Sequence, residues 1–204
     1  KKHICYVWFD ALINYYSATR SKGKEKFWPA NLHLVGKDIL WFHAVYWPAI
    51  LISAGIKLPE KILAHGWLTI DGEKISKTTG NVINVPELVS IAGPDSARYF
   101  LFRETPFGSD GDFSREKLVQ RHNDALANKL GNLVSRVSAL AEKYGIQKTE
   151  NNLLKKFKTK EVEKHFESLE FDRTLNEIFA FVDVCNFYVQ EKKPWETHDK
   201  KVLY

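Results

Sequence analysis

The stretch Leu32–Leu51, LHLVGKDILWFHAVYWPAIL, decides how the first part of the chain is built. Leu32–Val35 is short and apolar, which predicts a buried strand. Gly36-Lys37-Asp38 predicts a turn, with Asp38 as N-cap of the apolar helix that follows. Gly55 ends that helix and Pro59 marks the exit. Working outward, His3–Phe9 (HICYVWF) predicts a buried strand, Asp10–Ala18 a helix and Thr19–Lys26 a polar loop, while Ile62–Ile70 predicts a third strand. Strand, helix and strand at this spacing predict a parallel sheet with a right-handed crossover. The first 70 residues therefore read as an α/β unit, half of a doubly wound Rossmann-type fold, with its ligand face at the C-terminal ends of the strands.

Ile39–Ile56 runs for 18 residues without a formal charge, long enough to raise a membrane span. His43, Pro48 and Ser53 interrupt it, Asp38 and Lys57 bracket it, and no second such run occurs. A buried helix of a soluble domain is the expectation, with no membrane partner.

Downstream the texture changes to short helices, Pro86–Ala92 and Asp95–Glu104, separated by Gly93-Pro94. Thr105–Asp112 is a Gly/Asp/Pro-bearing loop. From Ser114 onward apolar residues recur at three- and four-residue steps: Leu118, His122, Leu126, Leu130, Leu133, Val137, Leu140 and Tyr144, then Leu175, Ile178, Phe179, Val182, Cys185 and Val189. An α-helical bundle is expected there. The chain thus divides into 1–70, a linking region 71–115, and a helical domain 116–204.

The 204 residues are 44% hydrophobic and 27% charged, without low-complexity tracts, which places the chain among ordinary globular proteins. The net charge of +5 fits a polyanion partner such as RNA or a nucleotide, and equally a protein that binds neither. Cys5 and Cys185 have no cysteine or histidine cluster around them, so a reducing, cytoplasmic setting is expected and no metal or zinc site within this stretch.

No Walker-type loop, dinucleotide fingerprint or hydrolase triad is present. What the chain offers for phosphate is GEKISKTTGN (72–81): Lys74 and Lys77, hydroxyls at Ser76, Thr78 and Thr79, and a glycine near each end. Lysine is a compact charge on a flexible stem, suited to a phosphate whose charge changes in a reaction. From residue types alone the loop reads either as such a lid or as a solvated hairpin.

KISKTTGN resembles the KMSKS signature of class I aminoacyl-tRNA synthetases, with Ile75 in the methionine slot and Thr78 in the last serine slot. The flanks resemble the methionyl-tRNA synthetases: YVWFDALINY (6–15), HLVGKDILWFHAVYWPAIL (33–51), HGWLTIDGEKISKTTGNV (65–82), PDSARYFLFRE (94–104), GNLVSR (131–136) and EKKPW (191–195). They follow in the family's order over nearly the whole chain. The resemblance implies ATP-dependent activation of L-methionine and its transfer to tRNA(Met), with ATP and Mg2+ entering as substrate. It implies that Lys77, assisted by Lys74, stabilises the triphosphate as pyrophosphate leaves. It places Gly36 and Asp38 at the ribose of ATP, and the Leu68 backbone at adenine with His65 and Gly66 beside it. Asp38 keeps its other reading, a plain helix cap.

For methionine the family positions fall on Trp8, Ala11, Leu12, Tyr15, Phe42 and His43, and a thioether packs favourably among aromatic rings. Periodicity alone assigns these aromatics to a core, and His43 to a satisfied core histidine; the resemblance gives His43 the task of orienting Tyr15. Leu12 departs from members with proline there, as a subfamily variation would. For the CAU anticodon the implied residues are Asn132, Arg136 and Trp195, which otherwise read as a solvated helix face and a capping aromatic. Asn132 and Arg136 are one helical turn apart, and a tryptophan can stack on an unpaired base.

The family's HIGH signature and zinc-bearing insertion are expected before Lys1. The chain is then the C-terminal part of a catalytic domain joined to an anticodon-binding bundle, inactive in adenylation by itself. A non-catalytic tRNA-binding module, or another class I synthetase, are the competing expectations.

Overall fold

The computed structural model describes residues 2–3, 6–75, 82–106, 108–149 and 152–203, with only the backbone of Lys74. Two compact units divide between Trp67 and Leu68.

In the first unit, helices α1 (Val7–Ala11) and α2 (Ile13–Ala18) meet at Leu12, which is buried. Among the described residues of His3–Phe9 no strand is present: Tyr6, Val7 and Phe9 are largely exposed, and Val7 already begins α1. Among the described residues β1 pairs only with β2, and the helix over Val7–Ala11 satisfies its own backbone.

Strand β1 (His33–Gly36) pairs in parallel with β2 (Ile62–His65), Gly36 standing opposite His65. Between them the chain passes through a 3-10 turn (Lys37–Ile39), a π-helical turn (Phe42–Tyr46) and α3 (Trp47–Ser53). Asp38 is not the expected cap. It lies inside the 3-10 turn and Gly36 precedes it, so its exposed carboxylate makes no capping bond. The π turn has a local cause: Pro48 has no N–H for the carbonyl four residues back and its ring crowds that carbonyl, and the helix widens just before it. Leu12, Trp47 and Leu51 form the core, with Trp8, Tyr15, Tyr16, Trp28 and Phe42 packed on it.

The strand expected over Ile62–Ile70 is two. It breaks at Gly66-Trp67, and β3 (Leu68–Ile70) belongs to the second unit, between β4 (Glu73–Lys74), antiparallel, and β5 (Gly111–Phe113), parallel. Asp71 and Gly72 both take positive φ, 51° and 79°, which suits the two-residue hairpin turn joining β3 to β4. Helix α4 (Val85–Ala92) is capped by Asn84, whose side chain accepts from the Glu87 N–H. Helix α5 (Pro94–Glu104) follows, and Ile70, Leu88, Ala97, Phe100, Phe113 and Leu118 form one core beneath it.

From Ser114, whose hydroxyl caps the next segment, α6 (Arg115–Arg121), a π-helical segment (His122–Gly131) and α7 (Asn132–Tyr144) run on without a break. The wider i→i+5 turns carry the apolar stripe out of α-helical register, and Leu130 is 37% exposed where the periodicity predicts a core residue. Helices α8 (Thr159–Glu167), α9 (Phe171–Lys192) and α10 (Pro194–Thr197) complete the bundle. Tyr99 and Phe102 of α5 pack against Phe179 and Phe171 of α9, and Arg103 donates to Asn176 and to the Asp172 carbonyl.

Candidate functional site

Unit one brings the six residues of the expected amino-acid pocket to one place, on α1, α2 and the π turn. Trp8 lies flat on Phe42, ring centroids 4.7 Å apart at 13°, and edge-on to His43 at 5.8 Å. Leu12 closes the floor and Ala11 lies one residue before it. Tyr15 Oη is 2.9 Å from Nε2 of His43, whose Nδ1 is 2.9 Å from the Ile39 carbonyl.

That chain of contacts fixes protons. A carbonyl only accepts, so Nδ1 of His43 carries the hydrogen; in the neutral ring Nε2 then accepts, and the Tyr15 hydroxyl donates to it. The phenol is thereby held in one direction, with its oxygen lone pairs and ring face left over. His43 is fully buried, and the default reading of a satisfied core histidine and the orienting reading describe the same two bonds.

Three residues of this wall went unremarked in the sequence. Trp28 and Trp47 meet edge to face at 6.0 Å, and His33 stands edge-on to Tyr15 at 4.6 Å. Burial pushes the His33 pKa down, and the neighbouring His43 adds to the effect. Alternation along β1 carries the signal for His33, since His33 and Val35 share its buried face.

At the far end of β1 three of the expected nucleotide residues meet. A Cβ on Gly36 would lie 2.6 Å from Asp38 Oδ1 and 3.9 Å from His65 Cε1. The glycine is thus tight against the carboxylate, leaving backbone accessible beside an exposed acceptor pair. His65 Nδ1 is 2.8 Å from the Gly66 carbonyl and so carries its hydrogen there. Lys37 stands over the Trp67 ring at 4.3 Å.

In unit two, Leu68 opens β3. The Lys74 backbone ends the hairpin; Ser76, Lys77, Thr78 and Thr79 lie outside the described residues, as does Cys5. The hairpin is fastened by Asp112 of β5, which accepts from Thr69 Oγ1 (2.6 Å), the Gly72 N–H (2.7 Å) and Lys117 Nζ (2.7 Å). Those donors, Lys117 first, hold the Asp112 carboxyl down at about 2.

In the bundle, the Arg136 guanidinium lies 6.0 Å from the Trp195 ring centroid and donates to Asn186 Oδ1 at 3.2 Å. Asn132 is exposed one turn earlier on α7. Asn186 was not foreseen, although it lies four residues after Val182 and three before Val189 on the inward face of α9.

The profile of the family described as tRNA synthetases class I (M) matches residues 1–138. The methionine-tRNA ligase of Clostridium tetani is 45% identical over 219 residues, an alignment covering 98% of this chain and 34% of that protein. That of Rickettsia felis is 44% identical, covering 96% and 42%. The crystal structure of Mycobacterium tuberculosis methionyl-tRNA synthetase bound by methionyl-adenylate superposes with a TM-score of 0.83 at 39% identity, covering 95% of this chain and 41% of that one. Its apo form gives 0.80 at 37% identity. The chain spans about a third of the length of most of the curated relatives it matches. Its mixed α/β fold is that of a class I synthetase, with a Rossmann-type sheet in the catalytic part and helices after it.

Proposed function

We propose, since the chain belongs to the class I tRNA synthetases (M), that it serves an ATP-dependent methionine-tRNA ligase, carrying part of the catalytic domain (1–70), the KMSKS loop and stem-contact region (71–115) and the anticodon-binding helices (116–204). The reaction joins L-methionine to the α-phosphate of ATP, releases pyrophosphate, and passes the methionyl group to tRNA(Met). The observation that carries this reading is the Tyr15–His43–Ile39 hydrogen-bond chain set inside the Trp8–Phe42 box.

An unbranched thioether gains from aromatic contact on several sides, and Trp8, Phe42 and Tyr15 supply it over the Leu12 floor. Because the Tyr15 proton is committed to His43, the phenol meets the sulfur with its ring and lone pairs. At the β1 end, Asp38 accepts from the ribose hydroxyls of ATP while the bare Gly36 backbone allows close approach. His65, Gly66 and the Leu68 backbone flank the adenine. Methionine's carboxylate attacks the α-phosphorus; the bond to the β,γ-pyrophosphate breaks, and Lys77, with Lys74, takes up the charge that grows on the leaving group. Asp112 fastens the hairpin turn from which that loop departs. The cytoplasm, where tRNA is charged, is the proposed setting.

For tRNA(Met), Trp195 offers a stacking face to an unpaired anticodon base, and Arg136 and Asn132 offer donors beside it. The test is titration of the full-length protein with a non-hydrolysable methionyl-adenylate analogue. Tight binding that weakens tenfold or more in Trp8→Ala supports the assignment. A Trp8→Ala protein that keeps wild-type affinity excludes the aromatic box as the methionine site. Nucleotide affinity too weak to measure, beside intact tRNA binding, would favour the non-catalytic module.

A further inference from the structure

Between α7 and α9 a single amide stands at the centre of a hydrogen-bond cluster. Asn186 Nδ2 donates to the Val182 carbonyl one turn back at 3.1 Å and to the Lys129 carbonyl of the π-helical segment at 3.3 Å. Both acceptors are carbonyls, so both amide hydrogens must point at them. Oδ1 is thereby turned toward α7, where it accepts from Arg136 Nη2 at 3.2 Å. Rotating the amide by half a turn would set its oxygen against two carbonyl oxygens and lose all three bonds. The orientation is therefore dictated by the backbone.

The other contacts of Arg136 explain why this matters. Its guanidinium lies 6.0 Å from the Trp195 ring centroid, and its Nε is buried without a partner. Lys129, whose carbonyl holds the amide, spends its own charge on Asp183 at 2.6 Å. Among the described residues no carboxylate pairs with Arg136, so its one side-chain acceptor is neutral. A carboxylate in that place would neutralise the guanidinium; a neutral acceptor fixes its direction and leaves the charge for a ligand.

We propose that Asn186 is the positioning residue of the RNA-reading surface: it sets the Arg136 guanidinium beside the Trp195 ring, so that one unpaired base stacks on Trp195 and meets a charged, pre-aimed donor. The proposal rests on the anticodon reading above. It assigns Asn186 no contact with RNA, only with the residue that makes one.

The test uses aminoacylation by the full-length protein, with tRNA(Met) transcripts carrying CAU or an altered anticodon. Asn186→Leu is expected to raise KM for the CAU transcript at least tenfold, with kcat within threefold, and to erode the preference for CAU by a similar factor. Asn186→Asp keeps an acceptor and adds a charge, and is expected to raise KM as well. In an Arg136→Ala background Asn186→Leu is expected to add less than twofold, because both changes remove one device. Full multiplication of the two effects, or an unchanged KM in a folded Asn186→Leu protein, overturns the proposal. If Asn186→Leu does not fold, as judged by its melting transition, Asn186→Ala is read by the same criteria. If Arg136→Ala and Trp195→Ala leave KM for tRNA unchanged, the anticodon reading falls and this proposal with it. If they raise KM while the Asn186 variants do not, only the positioning role falls.

Discussion

Gly36 and His65 stand opposite each other in the parallel register of β1 and β2, and the space a side chain would need at Gly36 is taken by the Asp38 carboxylate, 2.6 Å from where a Cβ would be. The Gly36 backbone has φ −71°, which alanine adopts freely, so Gly36→Ala should fold. The added methyl must push the Asp38 carboxylate aside. We expect KM for ATP to rise about tenfold, the scale of one lost hydrogen bond to a charged group, with KM for methionine nearly unchanged. Steady-state exchange kinetics in both substrates check this, and an unchanged KM for ATP would remove Asp38 from the nucleotide site.

Tyr15→Phe deletes the donor to a fully buried histidine nitrogen. An unpaired buried acceptor costs about 1–3 kcal/mol, so the melting temperature should fall. Methionine affinity should fall too, because His43 no longer fixes the ring. His43→Leu orphans both the Tyr15 hydroxyl and the Ile39 carbonyl, so it should cost more stability while weakening methionine to a similar degree. Calorimetric unfolding and methionine titration of both variants separate the two effects.

Asp112 ties the stability of the second unit to pH. Its folded pKa, held to about 2 by Lys117, Thr69 and the Gly72 N–H, lies below the ordinary carboxylate value of 3.8. Its contribution is therefore complete above the ordinary value and is lost as pH falls from about 4 toward 2. Asp112→Asn should lower the melting temperature at pH 7 and flatten the decline between pH 4 and 2. Thermal melts across that range check it; a variant with the same acid limb as wild type would contradict the assignment.

Lys77→Ala should reduce kcat for methionine activation at least a hundredfold while changing methionine affinity less than threefold, if its charge acts as proposed when pyrophosphate leaves. Equal losses in both would argue against a transition-state role.

How much of this was legible before the structure depends on what each signal measures. The β1 strand and its apolar helix were readable because their apolar runs are bracketed by the Gly36-Lys37-Asp38 turn and Gly55, and β2 pairs with β1 as the spacing predicts. His3–Phe9 misled because β-branched and aromatic residues mark surfaces to be packed, and α1 packs Trp8 as readily as a strand would. Ile62–Ile70 read as one strand because hydropathy continues through Gly66-Trp67 while the hydrogen-bond partner changes. The π turns at Phe42–Tyr46 and His122–Gly131 were illegible, since i→i+5 bonding has no pattern of its own in residue types. Pro48 was the one available hint. The pocket residues were named through family motifs, and their convergence on Tyr15 and His43 needed the fold. Asn186 is held by two backbone carbonyls and Asp112 draws its donors from a strand, a hairpin turn and a helix, which side-chain patterns do not display.

The most direct measurement is amino-acid-dependent ATP–pyrophosphate exchange by the full-length protein, run with methionine, leucine, isoleucine and no amino acid. Exchange is expected to need methionine, to be at least a hundredfold slower with the branched amino acids, and to fall at least a hundredfold in Lys77→Ala. A folded protein that shows no methionine-dependent exchange, or exchanges equally with isoleucine, would contradict the proposed function.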